Sequence, residues 1–206
     1  MTRSTSFLVG ELSSRTVEAL ELAEAAEGSS DFLYNKRLHV YEAAYLLAFS
    51  SWENMLEQCF LRFLCGYTNA AGVPTKTITW TRPKNVVAAT TLLLNGRSYM
   101  MWHNPNDVIK RSKGYFAGGP HETVLTSALS DISDFAAIRH FVAHRNDDTS
   151  IKFQAAATRL SGAPVLGGRA GRLLRSQTVD TVTGLQVTWL ERISADLGRY
   201  ASQIAG

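Results

Sequence analysis

From Asp31 to about Leu64 the chain reads as one long helix that is apolar on nearly every face. Leu38, Tyr41, Tyr45, Phe49, Trp52, Leu56, Phe60 and Phe63 recur at helical steps, and Ala44, Leu47, Ala48 and Cys59 fill the faces between them. A helix hydrophobic all round has no side to leave in water, so it belongs at the centre of a bundle or at a seam between subunits. Gly66 is placed to stop it, because glycine adopts the left-handed turn that closes a helix. Glu42, Glu53, Glu57 and Arg62 interrupt the run, which excludes it as a membrane span.

Helical periodicity dominates elsewhere, and alternating strand-like runs are nearly absent. Thr16 to Glu27 predicts a short amphipathic helix ending near Gly28. Thr68 to Trp80 reads as a loop, with Gly72 and Pro74 as breakers. Thr81 to Leu94 predicts a helix ended by Asn95-Gly96, and Asn104-Pro105 starts another that runs to about Lys113. Gly114 to Pro120 is a further break. His121 to His144 predicts one helix, striped by Leu125, Ala128, Ile132, Phe135, Ile138 and Val142. Asp147-Asp148 interrupts it and Ser150 to Leu160 resumes. Residues 161–180 are expected to form an irregular basic loop, and Asp180 to Ile204 a closing amphipathic helix. The expected fold is all-α: one domain over residues 1–206, a bundle with a long central apolar helix and an extra C-terminal helix.

The net charge is +3, which on its own does not identify a polyanion partner. Its distribution is uneven. Glu18, Glu21, Glu24 and Glu27 make the N-terminal part acidic, whereas Lys76, Arg82, Lys84, Arg97, Lys110, Arg111 and Lys113 face only Asp107. A second basic stretch, Lys152 to Arg175, holds no acid. Such patches suit an anionic partner but are also ordinary solvated faces. Cys59 and Cys65 are too far apart along one helix, about 9 Å of rise, to bond within it, and read as buried free thiols in a reducing compartment. With no signal-peptide core at Met1 to Gly10, a soluble cytoplasmic protein is expected.

Chemistry concentrates in Ala137-Ile138-Arg139-His140-Phe141-Val142-Ala143-His144-Arg145-Asn146-Asp147. Steps of about 100° per residue put His140 and His144 on one helix face, with Arg139 beside it. Three readings of these residues stand side by side. A basic cluster at a helix C-terminus is favoured by the helix dipole, and Arg139 has Asp131, Asp134 and Glu53 as possible ion-pair partners. Two histidines at i and i+4 can also chelate zinc, although no Cys or carboxylate at motif spacing completes such a site. Alternatively, a permanent cation beside two imidazoles can form a catalytic site.

The segment resembles the signature of the HEPN superfamily, an Arg, a polar residue, a few further residues and a His at the end of a core helix. Arg139 and His144 match the Arg and the His, and Ala143-His144-Arg145 is similar to the ending found in many members. Tyr41 to Glu53 resembles the long HEPN helix, whose acidic position Glu53 matches best. One position departs: the residue after the Arg is commonly Asn or Asp, and here it is His140. The chain as a whole looks like the ribonuclease-associated HEPN families of bacterial conflict systems.

What the resemblance implies is a HEPN-like bundle and a metal-independent endoribonuclease acting as a toxin or defence effector. Its site is composite, formed in a homodimer, and needs no cofactor. RNA carries its own nucleophile, the 2′-hydroxyl. His144 would act as general base or acid, Arg139 would hold phosphate oxygens, and His140 would orient substrate or share proton transfer. Glu53 and Asn146 are the supporting positions. Some HEPN toxins are silenced on a Tyr two residues after the motif His; here that residue is Asn146, so this regulation is not expected. Partners would be RNA, a second copy and an antitoxin or regulatory protein, with no membrane. The alternative is a non-catalytic HEPN module that binds RNA or protein.

Arg145, Arg169, Arg172 and Arg175 are weak RNA-contact candidates, against a plain solvated loop. Trp52 and Trp189 lie on core stripes, whereas Trp80 and Trp102 adjoin basic loops and are candidates for stacking bases. His39, His103 and His121 have no motif context.

Overall fold

The computed structural model describes residues 4–78 and 82–206. Trp80, and the helix start expected at Thr81, lie outside the described residues. The chain is predominantly helical. Its helices are α1 (Phe7–Gly28), α2 (Tyr34–Leu64), α3 (Val86–Leu94), α4 (Pro105–Tyr115), α5 (Pro120–Ser127), α6 (Leu129–Ala143), α7 (Asp147–Ser161), α8 (Ala170–Arg175) and α9 (Trp189–Ala205). A small antiparallel hairpin, β1 (Gln177–Val179) with β2 (Gln186–Thr188), pairs Thr178 with Val187. Among the described residues no helix is long and apolar enough to cross a membrane.

Residues divide into two compact units, one built from residues 1–12, 52–132 and 198–206, the other from 13–51 and 133–197. In the first, the C-terminal half of α2 is buried on most faces: Trp52, Phe60, Phe63 and Leu64 are fully enclosed. Phe60 meets Trp102, Phe116 and His121 edge-on, with ring centroids 5.5, 4.9 and 5.2 Å away. Each such side chain stabilises the fold by about 1.5–3 kcal/mol through burial. Gly66 ends α2 as expected: φ is +83°, Tyr67 N–H reaches the Arg62 carbonyl and Gly66 N–H the Phe63 carbonyl, both at 3.0 Å. Asn85 and Asn104 cap α3 and α4 with their side chains, and Asn95, at φ +43°, closes α3.

His121 in this unit is fully buried. Its Nε2–H donates to the Leu56 carbonyl at 3.0 Å, which fixes a neutral tautomer. Burial outweighs that bond and pushes its pKa down from 6.5 to about 4. The unfolded chain therefore binds this proton more tightly than the folded one, and stability rises with pH between those two values. Lowering the pH from 7 to 5 should cost about 2 kcal/mol at this residue, read as a lower urea midpoint. His121→Gln, with nothing to titrate there, should lose that part of the pH dependence.

In the second unit the core holds Tyr45, Phe49, Phe135 and Phe153. Tyr45 Oη donates to the Phe135 carbonyl at 2.6 Å, and Phe141 stacks on Phe153 at 4.5 Å. Asp134 is buried and clasped by Arg159, whose Nε lies 2.9 and 3.1 Å from its two oxygens.

Several element boundaries differ from those expected. α1 begins at Phe7, not Thr16, because Leu8 and Leu12 extend the buried stripe of Ala19, Ala23 and Ala26. The single helix expected over His121–His144 is two, α5 and α6, separated at Ala128 (φ −100°, ψ 14°). The Ser127 hydroxyl there donates back to the Val124 carbonyl, a local alternative that bends helices. Residues 161–180 are not an irregular loop throughout: they contain α8 and β1. Residues 180–188, expected to open the last helix, instead turn and form β2. Asp180 Oδ1 accepts from Val182 and Thr183 N–H, and Gly184 at φ +73° completes the turn. The last helix starts at Trp189, behind a reciprocal cap between Thr188 and Glu191.

Candidate functional site

Arg139 and His140 stand in the last two turns of α6, and His144 follows its end. Arg139 and His140 are half-buried, and His144, just past the last helical residue, is exposed. The backbone keeps its helical course to that point, since His144 N–H donates to the His140 carbonyl at 2.8 Å. The two imidazoles consequently face the same way, with ring centroids 6.3 Å apart and planes tilted by 55°. A ring N–H reaches an acceptor about 4 Å from its own centroid, so both rings can address the oxygens of a single phosphate.

The residues beyond the helix explain why His144 is held there. Asn146 is the N-cap of α7: its Oδ1 accepts from Thr149 N–H at 2.9 Å, and Thr149 Oγ1 accepts in return from Asn146 N–H at 3.1 Å. The Thr149 hydroxyl also donates to the His144 carbonyl. The helix break thus lies at residues 144–146, and Asp147 and Asp148, expected as the interruption, occupy the first turn of α7, where the helix dipole favours acids. Asn146 supports the segment as a cap, through backbone order.

A carboxylate singled out by no motif anchors the same segment. Glu42 is only 4% exposed. Arg145 Nη2 donates to its Oε2, His39 Nδ1 donates to the same oxygen at 3.3 Å, and Gly171 N–H donates to Oε1 at 3.2 Å. Arg145 also lies over the Phe141 ring at 5.9 Å. Arg145, expected as an RNA contact, is therefore committed to an internal acid. The sequence signal was present: Glu42 interrupts the stripe Leu38–Tyr45–Phe49 at helical spacing, and an acid on such a stripe is buried only when paired.

The other expected residues fall as follows. Glu53 lies in the first unit and pairs with His103, Oε1 to Nδ1 at 3.2 Å, giving His103 a role that its sequence context did not suggest. Asp134, named as a possible partner of Arg139, is bound to Arg159, and Asp131 accepts from Tyr200 Oη at 2.7 Å. Arg175 forks onto Glu27, which lowers the Glu27 pKa, chiefly through that hydrogen bond. Arg172 donates to the Leu166 carbonyl at 2.7 Å, and Arg169 to His39 Nε2 at 3.5 Å. These arginines hold the 161–180 segment in place by internal contacts. Trp102 is buried, which removes it as a base-stacking face, and Trp52 and Trp189 are core residues as expected. Both cysteines are free thiols; burial pushes the Cys59 pKa up to about 12, which leaves it unreactive. Among the described residues no group of three or more His, Cys, Asp or Glu is arranged to hold a metal ion.

No family model, curated protein or solved structure matches the chain.

Proposed function

We propose that this chain is a HEPN-type, metal-independent endoribonuclease whose working site is built from Arg139, His140 and His144 of two copies. The observation that carries this reading is the pairing of His140 with an exposed His144, 6.3 Å apart on one face, with Arg139 next to His140 in the sequence. One imidazole takes the proton of the RNA 2′-hydroxyl as that oxygen attacks phosphorus. A second gives a proton to the departing 5′-oxygen as the P–O bond breaks. Arg139, always charged, holds the non-bridging oxygens as negative charge builds on them. A two-fold arrangement of copies sets acid and base on either side of one phosphate. Such an enzyme, acting as a toxin or defence effector, would arrest growth by cutting cellular RNA.

The test is cleavage of labelled RNA in the presence of EDTA. Cleavage should persist with the chelator and fall by about 100- to 1,000-fold in Arg139→Ala, with helical content by circular dichroism retained. Activity abolished by EDTA and restored by a divalent ion would overturn the proposal. Unchanged cleavage in the variant would show that Arg139 takes no part in it, and no cleavage by the parent chain would leave a non-catalytic binding module.

A further inference from the structure

In the first unit, α3 departs from what a surface helix usually looks like. Its nine residues carry no charge, yet only Ala89 and Leu93 are buried. A helix on a protein's surface normally turns charged and polar groups to water. α3 instead presents Val87, which is 75% exposed, and Leu92. The segment 97–101 that follows exposes Tyr99, at 71%, and Met101. A cleft of about 880 Å³ begins at the last turn of α3, against Leu93 and Asn95, and is walled by Tyr99, Met100, Met101 and Tyr115. Tyrosine and methionine are enriched where proteins meet, and methionine adapts its shape to an incoming side chain.

The unanswered charge of the cleft is on its rim. Burial lowers the pKa of Arg111, which also lines the cleft, and the nearby carboxylates Asp107 and Glu57 act against that, so this cation has its counter-charges within the fold. Asp107 is held in turn by the Asn104 side chain, Nδ2 to Oδ2 at 2.9 Å. Arg97 and Lys110 line the cleft and are exposed, and Lys84 is exposed just before α3. Among the described residues none of these three forms an ion pair. A cleft that is apolar within and cationic at its edge complements a helix with apolar residues at every third or fourth position and acids between them. A flat bilayer surface would meet the rim and leave the concave part unfilled.

We infer that α3 and residues 97–101 form a docking cleft for an acidic amphipathic helix of a partner protein. Its apolar side chains enter between Tyr99, Met101 and Tyr115, and its carboxylates meet Lys84, Arg97 and Lys110. The inference goes beyond the nuclease reading and does not depend on it.

A displayed library of amphipathic helices, about four turns long and with random charge on the polar face, is selected against the whole chain. The enriched peptides should carry a surplus of acids and bind more weakly as salt is raised. Arg97 and Lys110 are exposed, so the double variant Arg97→Glu/Lys110→Glu should keep its circular dichroism spectrum. It should weaken the best peptide by about 100-fold. The same peptide with its acids changed to lysine should prefer this variant over the parent chain, a rescue that a merely misfolded variant does not give. Tyr99→Ala should weaken the peptide by about tenfold. His144→Ala should leave its affinity unchanged, so failure at either site is seen separately. No enrichment, enriched peptides without an acidic surplus, or affinity untouched by the double variant would overturn the inference. It is also overturned if self-association, a 2′-O-methyl oligoribonucleotide or phosphatidylserine vesicles exclude the peptide and are themselves lost in the double variant, since the cleft then has that occupant.

Discussion

Replacing His144 by alanine should lower RNA cleavage by about 100- to 10,000-fold, the range for removing one proton-transfer group, while the melting temperature stays close to that of the unaltered chain. The second half of this expectation follows from position. His144 is exposed, and its bonds to the fold run through its backbone: its N–H to His140 and its carbonyl from Thr149. Alanine preserves both and removes only the ring. Single-turnover cleavage of a labelled RNA reads the effect. A variant that cuts as fast as the parent would show that His144 takes no part in the chemistry. A variant that unfolds would show that the ring is structural, against its exposure.

Gly171→Ala should be the most damaging single methyl in the second unit. A Cβ at this buried position would stand 2.1 Å from the Leu38 carbonyl oxygen and 2.8 Å from the Leu38 Cα. Those are backbone atoms in the middle of a helical turn and cannot swing aside. Gly171 has no positive φ, so its conformation suits alanine and the clash alone sets the cost. To relieve it α8 must lift from α2, giving up the Gly171 N–H bond to Glu42 and exposing the enclosed Leu173 and Leu174. The expected loss is about 3 kcal/mol or more, at the upper end for overpacking. Urea unfolding measures it. Because Glu42 also holds Arg145, cleavage should fall further than the folded fraction does. An alanine variant as stable as the parent would mean that α8 does not approach α2 at this point.

The parts of this fold legible in the sequence are those where one local force acts alone. The apolar run of α2 has no other environment open to it, and Gly66, Asn95 and the Asn104-Pro105 pair each mark a terminus by backbone geometry or a cap. The break at Ala128 is hidden because Leu125, Ala128 and Ile132 remain in phase across it and all three are buried, so the stripe gives no sign of a bend. β1 and β2 have three residues each, too short for alternation to register. α8 has weak propensity, with Gly171 inside it, and is stabilised by contacts made far away in the chain. The candidate site divides in the same way. That His140 and His144 share a helix face is legible from their i, i+4 spacing. The burial of Glu42 is legible from its place on the Leu38–Tyr45–Phe49 stripe, whereas its partner Arg145 is not, since which acid of a long helix reaches the end of another depends on packing rather than on order along the chain. The internal contacts of the arginines in residues 161–180 are likewise not legible from counting them: Arg175 reaches Glu27 and Arg172 a backbone carbonyl.

The most direct measurement is the chemistry of the cut ends, made in EDTA on an RNA and on the same RNA carrying one 2′-deoxy nucleotide at the cleavage position. The expected result is a 2′,3′-cyclic phosphate facing a 5′-hydroxyl, with no cut where the 2′-hydroxyl is missing. Products ending in 3′-hydroxyl and 5′-phosphate, or a cut that survives the deoxy substitution, would contradict attack by the RNA's own oxygen and with it the role given to His140 and His144.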